Sequence, residues 1–271
     1  MNDIKYIIAV ASGKGGVGKS TTAVNLALAL KALGNQVGLL DADIYGPSQQ
    51  LMLGIGEEVK PGQQDGKYLL PIAAHGLKTM SMGYLVTERT PMIWRGPMAG
   101  GALAQMLEQT LWGELDYLVI DMPPGTGDIQ LTLTQKARVA GAVIVTTPQD
   151  IALMDAQKGI EMFRKVGVPI LGVVENMAVH TCSNCGHQEH IFGEHGGQRI
   201  AAEYGVTLLG SLPLSLAIRQ QTDAGRPTVV ADPDSPATAI YMQIASGVQA
   251  ALAAGVGGAG HQFPEIDISD D

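Results

Sequence analysis

The sequence predicts a single α/β domain with a doubly wound, mostly parallel sheet. Short apolar runs alternate with segments of helical period through most of the 271 residues, as strands and crossover helices do in such sheets. A glycine-rich loop at 13–20 separates the first apolar run from a helical segment. Acidic residues directly follow two other apolar runs, where the ligand edge of an α/β sheet is expected.

The predicted elements follow the order strand, loop, helix, strand from the N-terminus onward. Strands are predicted at 5–11, 36–41, 116–121, 141–147, 170–175 and 206–211. Helices are predicted at 20–33, 96–112, 215–224 and 236–254. The first helix repeats Ala23, Leu26 and Leu30 at helical spacing and stops at Gly34, a residue type favoured just after a helix end.

Two stretches depart from this alternation. Residues 54–83 contain several glycines and a proline, and are predicted to form a surface hairpin excursion from the sheet. Residues 255–271 are glycine-rich and then acidic, which predicts a flexible tail. We therefore expect one domain over 1–254, with a cysteine loop at 182–185.

The composition argues against several function classes. Lys and Arg number 17 against 26 Asp and Glu, a net charge of −9, so a basic nucleic-acid footprint is not visible. Apolar runs are far shorter than the about 20 residues of a membrane span. The two cysteines, Cys182 and Cys185, are too few and too close for a disulfide framework, which predicts a reducing, cytoplasmic location.

The loop from Gly13 to Ser20 fits the pattern G-x-x-x-x-G-K-[ST] between a predicted strand and a predicted helix. Glycines let backbone N–H groups face phosphate oxygens, and the helix N-terminus adds partial positive charge. Lys19 is predicted to reach the β- and γ-phosphates, Ser20 to bind Mg²⁺ and Thr21 to lie near the α-phosphate. The nucleotide-binding residues are therefore predicted to be Gly13, Lys14, Gly15, Gly16, Val17, Gly18, Lys19, Ser20 and Thr21. These features predict an ATPase of the P-loop NTPase type.

A second lysine, Lys14, lies inside the loop, where an ordinary P-loop has no need of one. It folds back onto the same phosphates less easily than Lys19 does. Its simplest use is to cross a symmetric dimer interface and neutralise charge on the partner's nucleotide, as an arginine finger does in trans. The alternative is a solvated surface lysine.

Carboxylates follow two of the predicted strands. Asp41 and Asp43 come after the run 37–40, and Asp121 comes after the run 117–120. At the sheet edge where a ligand binds, such groups hold Mg²⁺ through water and orient the attacking water. A lone aspartate at a strand end is otherwise a helix cap, but three of them beside a P-loop favour the metal and water roles.

The cysteine pair Cys182 and Cys185 allows three interpretations. An ordinary [4Fe–4S] site uses four thiolates, so a symmetric dimer that supplies two pairs completes the count. Zinc is an alternative, since four histidines lie in the same stretch, at 180, 187, 190 and 195. A redox C-x-x-C is the third possibility.

Several motifs together resemble a known group of proteins. KGGVGKST at 14–21, with its extra lysine, resembles the deviant Walker A ATPases, which include MinD, ParA and ArsA relatives. Within that group the chain resembles the Mrp/ApbC subfamily. The motifs that carry this resemblance are LLDADIYGPS (39–48), WRGPM (94–98), DYLVIDMPPGTGDIQL (116–131), VENM (174–177), the cysteine pair and FGEHGG (192–197).

The resemblance implies an ATP-hydrolysing, homodimeric carrier that holds a [4Fe–4S] cluster between subunits, receives it from a donor and passes it to apo iron–sulfur proteins. It implies that Lys14 crosses to the other subunit, that Asp43 positions or activates the hydrolytic water, and that Asp41 supports Mg²⁺. It also implies that Asn176 and the segment around Pro213 meet the adenine.

Two other functions remain open at this point. A positioning or partition ATPase of the MinD/ParA kind uses the same dimer switch, but binds membrane or DNA through a basic helix or basic face. The C-terminal part of this sequence shows neither, since no Lys or Arg follows Arg226. The other candidate is an ATPase in which Cys182 and Cys185 hold structural zinc.

Overall fold

The computed structural model describes residues 3–85, 96–182 and 184–255. The strands in these residues are β1 Ile4–Ala11, β2 Val37–Asp41, β3 Gln63–Gln64, β4 Tyr68–Leu69, β5 Ile72–Ala74, β6 Leu77–Ser81, β7 Leu115–Asp121, β8 Gly141–Thr146, β9 Ile170–Glu175, β10 His180–Thr181, β11 Gln188–Glu189 and β12 Leu208–Ser211. Eight of them form a central sheet in the order β12-β9-β8-β1-β7-β2-β6-β5, and two small hairpins, β3-β4 and β10-β11, lie outside it.

Ten helices are described, three of them single turns of four residues. The helices are α1 Lys19–Ala32, α2 Gln49–Met52, α3 Met82–Leu85, α4 Gly96–Gln109, α5 Asp128–Ala137, α6 Asp150–Lys165, α7 Gly196–Tyr204, α8 Leu216–Asp223, α9 Thr228–Ala231 and α10 Pro236–Ala253. None of these helices combines the length and apolarity that crossing a bilayer requires.

Side chains of successive strand residues point to opposite faces of the sheet, and both faces are buried in this structure. In β1, Ile7 and Ala9 join a core cluster with α4, α5, α6 and α7, whereas Ile8 and Val10 join a second cluster with α1 and α10. This arrangement confirms the predicted doubly wound fold, in which helices cover each face of one sheet.

All neighbouring strands of the sheet pair in parallel except β5, which runs antiparallel to β6 at one edge. The carboxyl ends of β1, β2, β7, β8 and β9 therefore meet at a single edge of the sheet. The P-loop follows β1, in the middle of the strand order, with β7 on one side and β8 on the other. A ligand is expected in the crevice outside the carboxyl ends at such a position.

The predicted strands and helices agree with the structure to within a few residues at their ends, including the C-terminus of α1. That helix ends at Ala32, and Gly34 follows with φ +91°, a conformation that favours glycine. The segment 94–95 of the WRGPM motif and the tail beyond residue 255 lie outside the described residues.

The prediction for residues 54–83 is wrong in part. The stretch does contain hairpins, but Leu77–Ser81 is a buried strand of the central sheet that pairs with β2. The sequence did not indicate this strand, because Thr79 and Ser81 are polar residues of the kind usually found at the surface. They are buried here because their hydroxyl groups form hydrogen bonds within the protein. The hydroxyl of Thr79 donates to the carbonyl of Ile72, and the hydroxyl of Ser81 donates to Asp41.

Candidate nucleotide site and cysteine hairpin

The P-loop leaves β1 and enters α1 through backbone that only glycine adopts without strain. Gly18 has φ +80° directly before the helix, and an added Cβ would lie 2.1 Å from the side-chain nitrogen of Asn176. Gly13 is equally restricted, since a Cβ there would meet the backbone of Asp155 in α6 at 2.0 Å. The backbone of the loop is therefore closely packed on two sides, against the side chain of Asn176 and against the backbone of Asp155.

Lys19 is buried at the first position of α1, and its ammonium forms an ion pair with Asp121 at the end of β7. The same ammonium lies 3.1 Å from the hydroxyl of Ser20. The structure thus brings together three of the residues that the sequence predicts for phosphate and Mg²⁺. Thr21 follows in the first turn of α1, half-buried.

Asp41, at the end of β2, is the Cα partner of Asp121 in the neighbouring strand, and both side chains are fully buried. One oxygen of Asp41 accepts hydrogen bonds from the backbone N–H groups of Ser48 and Gln49 at 3.0 and 3.1 Å and from the hydroxyl of Ser81 at 3.0 Å. The other accepts the N–H of Asp43 at 3.1 Å. Asp41 therefore anchors the loop that carries Asp43.

The charge of this cluster suits a divalent cation. Burial and, after it, the neighbouring Asp121 raise the pKa of Asp41 to about 7, although the N–H bonds and Lys19 act in the opposite direction. Two buried carboxylates thus face a single buried lysine. Carboxylate and hydroxyl oxygens are the ligands that Mg²⁺ prefers, so Ser20, Asp41 and Asp121 fit this ion by chemistry and charge.

Asp43 lies beside this cluster, half-buried, and one of its oxygens accepts the N–H of Gly46 at 3.3 Å. Burial raises the pKa of Asp43, Lys19 lowers it and Asp121 raises it. A carboxylate with a raised pKa at the edge of the site suits contact with water.

Lys14 is half-buried within the loop, and its carbonyl accepts a hydrogen bond from the hydroxyl of Ser12 at 2.8 Å. In the part of the chain that the structure describes, no carboxylate lies within 4 Å of its ammonium. Its backbone is thus fixed by the loop, and its charge is not neutralised by a described residue of the same chain.

Asn176 follows β9 and donates a side-chain hydrogen bond to the carbonyl of Val17 in the P-loop at 2.9 Å. The chain after β12 runs alongside, because the N–H of Ala178 bonds to the carbonyl of Leu212 and the N–H of Leu214 bonds to the carbonyl of Val179. The half-buried Pro213 lies on this second segment, so the two residues predicted to meet the adenine are on adjacent segments of the chain.

The cysteines sit on the hairpin β10-β11, which leaves the carboxyl end of β9. The N–H of Cys182 bonds to the carbonyl of His187, and the N–H of Gly186 bonds to the carbonyl of Cys182, each at 2.9 Å. Cys182 is half-buried and Cys185 is exposed, and both are free thiols. Backbone N–H groups of Asn184 and Cys185 lower the pKa of the Cys182 thiol. The hairpin thus favours a thiolate, the form that binds metals.

The nearby histidines make contacts of their own. A ring nitrogen of His190 lies 2.8 Å from the carbonyl of Ala178, and His187 lies 3.5 Å from Glu189. Within the described residues of one chain, no group of three or more His, Cys, Asp and Glu side chains is arranged to hold a metal ion.

Sequence reasoning missed two polar residues of the site. Gln49 donates side-chain hydrogen bonds to Asp121 and to the carbonyl of Ser20. Glu175 is buried at the end of β9 and accepts the N–H of Gly197, at 2.8 Å, and the hydroxyl of Ser211, at 3.1 Å. Each links segments that are far apart in sequence, so no spacing in the chain signalled these contacts.

The fold and the P-loop together define a P-loop NTPase, and solved structures support this class. A nucleotide-binding protein from Archaeoglobus fulgidus, solved in complex with ADP, superposes with a TM-score of 0.75 at 38% identity, over 88% of this chain and 91% of that chain. The cell division ATPase MinD of Pyrococcus furiosus, at 23% identity and a TM-score of 0.67 over 91% of this chain and 99% of its own, shares the fold.

Residues 3–249 match the ParA family described as the NUBPL iron-transfer P-loop NTPase, and the chain belongs to that family. It is 65% identical to the iron-sulfur cluster carrier protein of Pseudomonas fragi, over 90% of this chain and 85% of that protein. It is 62% identical to the carrier of the same name in Escherichia coli, over 93% and 68%. The iron-sulfur cluster transfer protein NUBPL of Mus musculus is 52% identical, over 90% and 77%.

The hairpin geometry predicts an unusually acidic thiol at Cys182. Alkylation of Cys182 by iodoacetamide, followed by mass spectrometry of its peptide across a pH series, should reach half its maximal rate below the ordinary cysteine pKa of about 8.5. In urea, which opens the hairpin, the midpoint should return to about that value. An identical midpoint in the folded and unfolded protein would contradict the assigned hydrogen bonds.

Proposed function

We propose that this protein is an ATP-hydrolysing iron–sulfur cluster carrier, which holds a [4Fe–4S] cluster between two copies of the chain, receives it from a donor and delivers it to apo iron–sulfur proteins. Family membership and the names of its relatives support the cluster role. The observation that carries the proposal is the hairpin of Cys182 and Cys185, which leaves the same sheet edge as the P-loop.

Nucleotide binding follows from the site described above. Lys19 exchanges its contact with Asp121 for the β- and γ-phosphates, and the P-loop N–H groups hold the remaining phosphate oxygens. Ser20, Asp41 and Asp121 hold Mg²⁺, which neutralises phosphate charge when it is bound. Asn176 and the segment around Pro213 contact the adenine. The side chain of Asn176 already contacts the P-loop carbonyl of Val17, which supports that position.

Hydrolysis requires a positioned water and a cation for the transition-state charge. Asp43 is the carboxylate at the edge of the site, and we assign to it the positioning of the attacking water. Lys14 supplies positive charge across a dimer interface, since its own chain offers it no carboxylate partner among the described residues. The two residues thus complete a site from opposite subunits.

The cluster requires four thiolates, and each chain offers Cys182 and Cys185. Two hairpins related by a two-fold axis supply the full set, and the cluster then joins the subunits. A structural zinc is the competing function, because a cysteine pair that receives backbone N–H hydrogen bonds suits zinc as well. Metal analysis therefore decides between the two.

Lys19→Ala should weaken binding of ADP and ATP by about 100-fold, because each lost charge-assisted contact contributes about 1.5–3 kcal/mol. Isothermal titration calorimetry measures the affinity. The change also leaves Asp121 buried without its cation, so Lys19→Ala/Asp121→Asn is the control that should recover stability without recovering affinity. Undiminished affinity in a folded Lys19→Ala protein would contradict the P-loop assignment.

Lys14→Ala and Asp43→Ala should each bind MgATP yet hydrolyse it poorly, because they act on the transition state and on water. Mixing the two inactive proteins tests the assignment to opposite subunits. In a heterodimer, one of the two sites combines an intact Lys14 with an intact Asp43, and the other site lacks both. Random exchange in a 1:1 mixture makes about half of the dimers heterodimers, so the mixture should regain about a quarter of wild-type activity. Heterodimers that form without regaining activity would place both residues in one subunit.

Anaerobic reconstitution should give about two irons per chain, which corresponds to one [4Fe–4S] cluster per dimer. Cys182→Ser or Cys185→Ser should abolish the cluster absorption and leave ADP affinity within about twofold of wild type. His187→Ala, in the same hairpin, is the matched control and should retain the cluster. One zinc per chain without iron, or a full cluster in a monomer, would overturn the carrier function and leave nucleotide binding intact.

A further inference from the structure

Gln49 lies at the centre of the site, although it belongs to neither the P-loop nor the carboxylate set. It is the first residue of α2 and is 1% exposed. Its backbone N–H donates to Asp41 at 3.1 Å, which fixes the start of the helix beside the two buried carboxylates. The hydrogen bond to Asp41 therefore fixes the position of the backbone from which the Gln49 side chain extends.

The side-chain amide of Gln49 connects two residues of the proposed Mg²⁺ site. Its nitrogen donates to Asp121 at 2.8 Å and to the carbonyl of Ser20 at 3.0 Å. Both neighbours are acceptors, so this orientation of the amide follows from its partners. The amide oxygen is buried and has no donor among the described residues. It therefore keeps acceptor capacity within the site.

Asp121 consequently has two donors of different kinds. Lys19 binds one of its oxygens and Gln49 binds the other. When Lys19 turns to the phosphates, Gln49 remains as the donor that keeps the Asp121 carboxylate in place. Since the same amide also holds the backbone of Ser20, it fixes the spacing between the hydroxyl-bearing residue and the carboxylate.

We propose that Gln49 is a positioning residue for the Mg²⁺ site: it holds Asp121 and Ser20 in place while Lys19 moves between Asp121 and the nucleotide. The inference rests on the proposed binding of a Mg²⁺–nucleotide complex. Under this proposal Gln49 affects the part of the nucleotide affinity that depends on Mg²⁺, whereas the P-loop affects phosphate binding itself.

The test uses the full chain and measures ADP affinity by calorimetry, once with excess Mg²⁺ and once with EDTA. Gln49→Met keeps an unbranched side chain of similar length but removes both hydrogen bonds. Its affinity in EDTA should stay within about twofold of wild type, whereas its affinity with Mg²⁺ should fall about tenfold, the scale of one hydrogen bond to a charged group. Activity is not needed for this comparison.

Gln50→Met is the matched control, because Gln50 lies in the same short helix and donates its amide hydrogen bond to the carbonyl of Gly56 instead. This variant should retain the wild-type ratio of the two affinities. If Gln49→Met does not fold, Gln49→Asn keeps the amide but withdraws it from both acceptors, and a similar loss of affinity, again only with Mg²⁺, is expected.

Three outcomes separate the hypotheses. A loss confined to Mg²⁺ conditions supports the positioning role of Gln49. An equal loss with and without Mg²⁺, or no loss at all, overturns it and leaves nucleotide binding by the P-loop standing. A wild-type protein that bound ADP equally with Mg²⁺ and with EDTA would instead remove the proposed metal site, and the inference with it.

Discussion

Two carboxylates, Asp41 and Asp121, lie fully buried side by side on neighbouring strands, and several residues of the site offset the cost of burying their charge. Burying charge is costly unless it is paired and hydrogen-bonded. Lys19 supplies the pairing charge at Asp121, while the start of α2 and Ser81 supply hydrogen bonds to Asp41. The positions of the P-loop lysine and of the loop after β2 therefore follow from one electrostatic requirement.

The end of β9 links the nucleotide site with the cysteine hairpin. Asn176 holds the P-loop carbonyl of Val17, and the preceding Glu175 holds the backbone N–H of Gly197 at the start of α7. The cysteine hairpin lies in the chain between Asn176 and Gly197, and Gly197 bonds back to Glu175, the residue before Asn176. Asn176 thus connects the P-loop with the start of the segment that carries the two thiols.

The likeness to MinD concerns the fold alone. The cysteine hairpin of this chain follows β9 and lies outside the central sheet. A shared fold does not by itself imply a shared function, because function resides in the sites that a fold carries. Membership of an iron-transfer family is consistent with this division. In this chain the P-loop follows β1 of the central sheet, and the thiol pair lies on a hairpin that follows β9.

By itself the sequence determined the fold class, because that depends on local periodicity. It also predicted the P-loop from fixed spacing within one segment, and the three aspartates from their positions at the ends of predicted strands. The sequence did not predict the strand Leu77–Ser81, since Thr79 and Ser81 resemble surface residues until their hydrogen-bond partners are known. Only the tertiary structure revealed the hydrogen bond between Gln49 and Asp121, which are 72 positions apart in the chain. Such contacts are set by strand order and helix packing, which place distant residues together and leave no pattern in the local sequence.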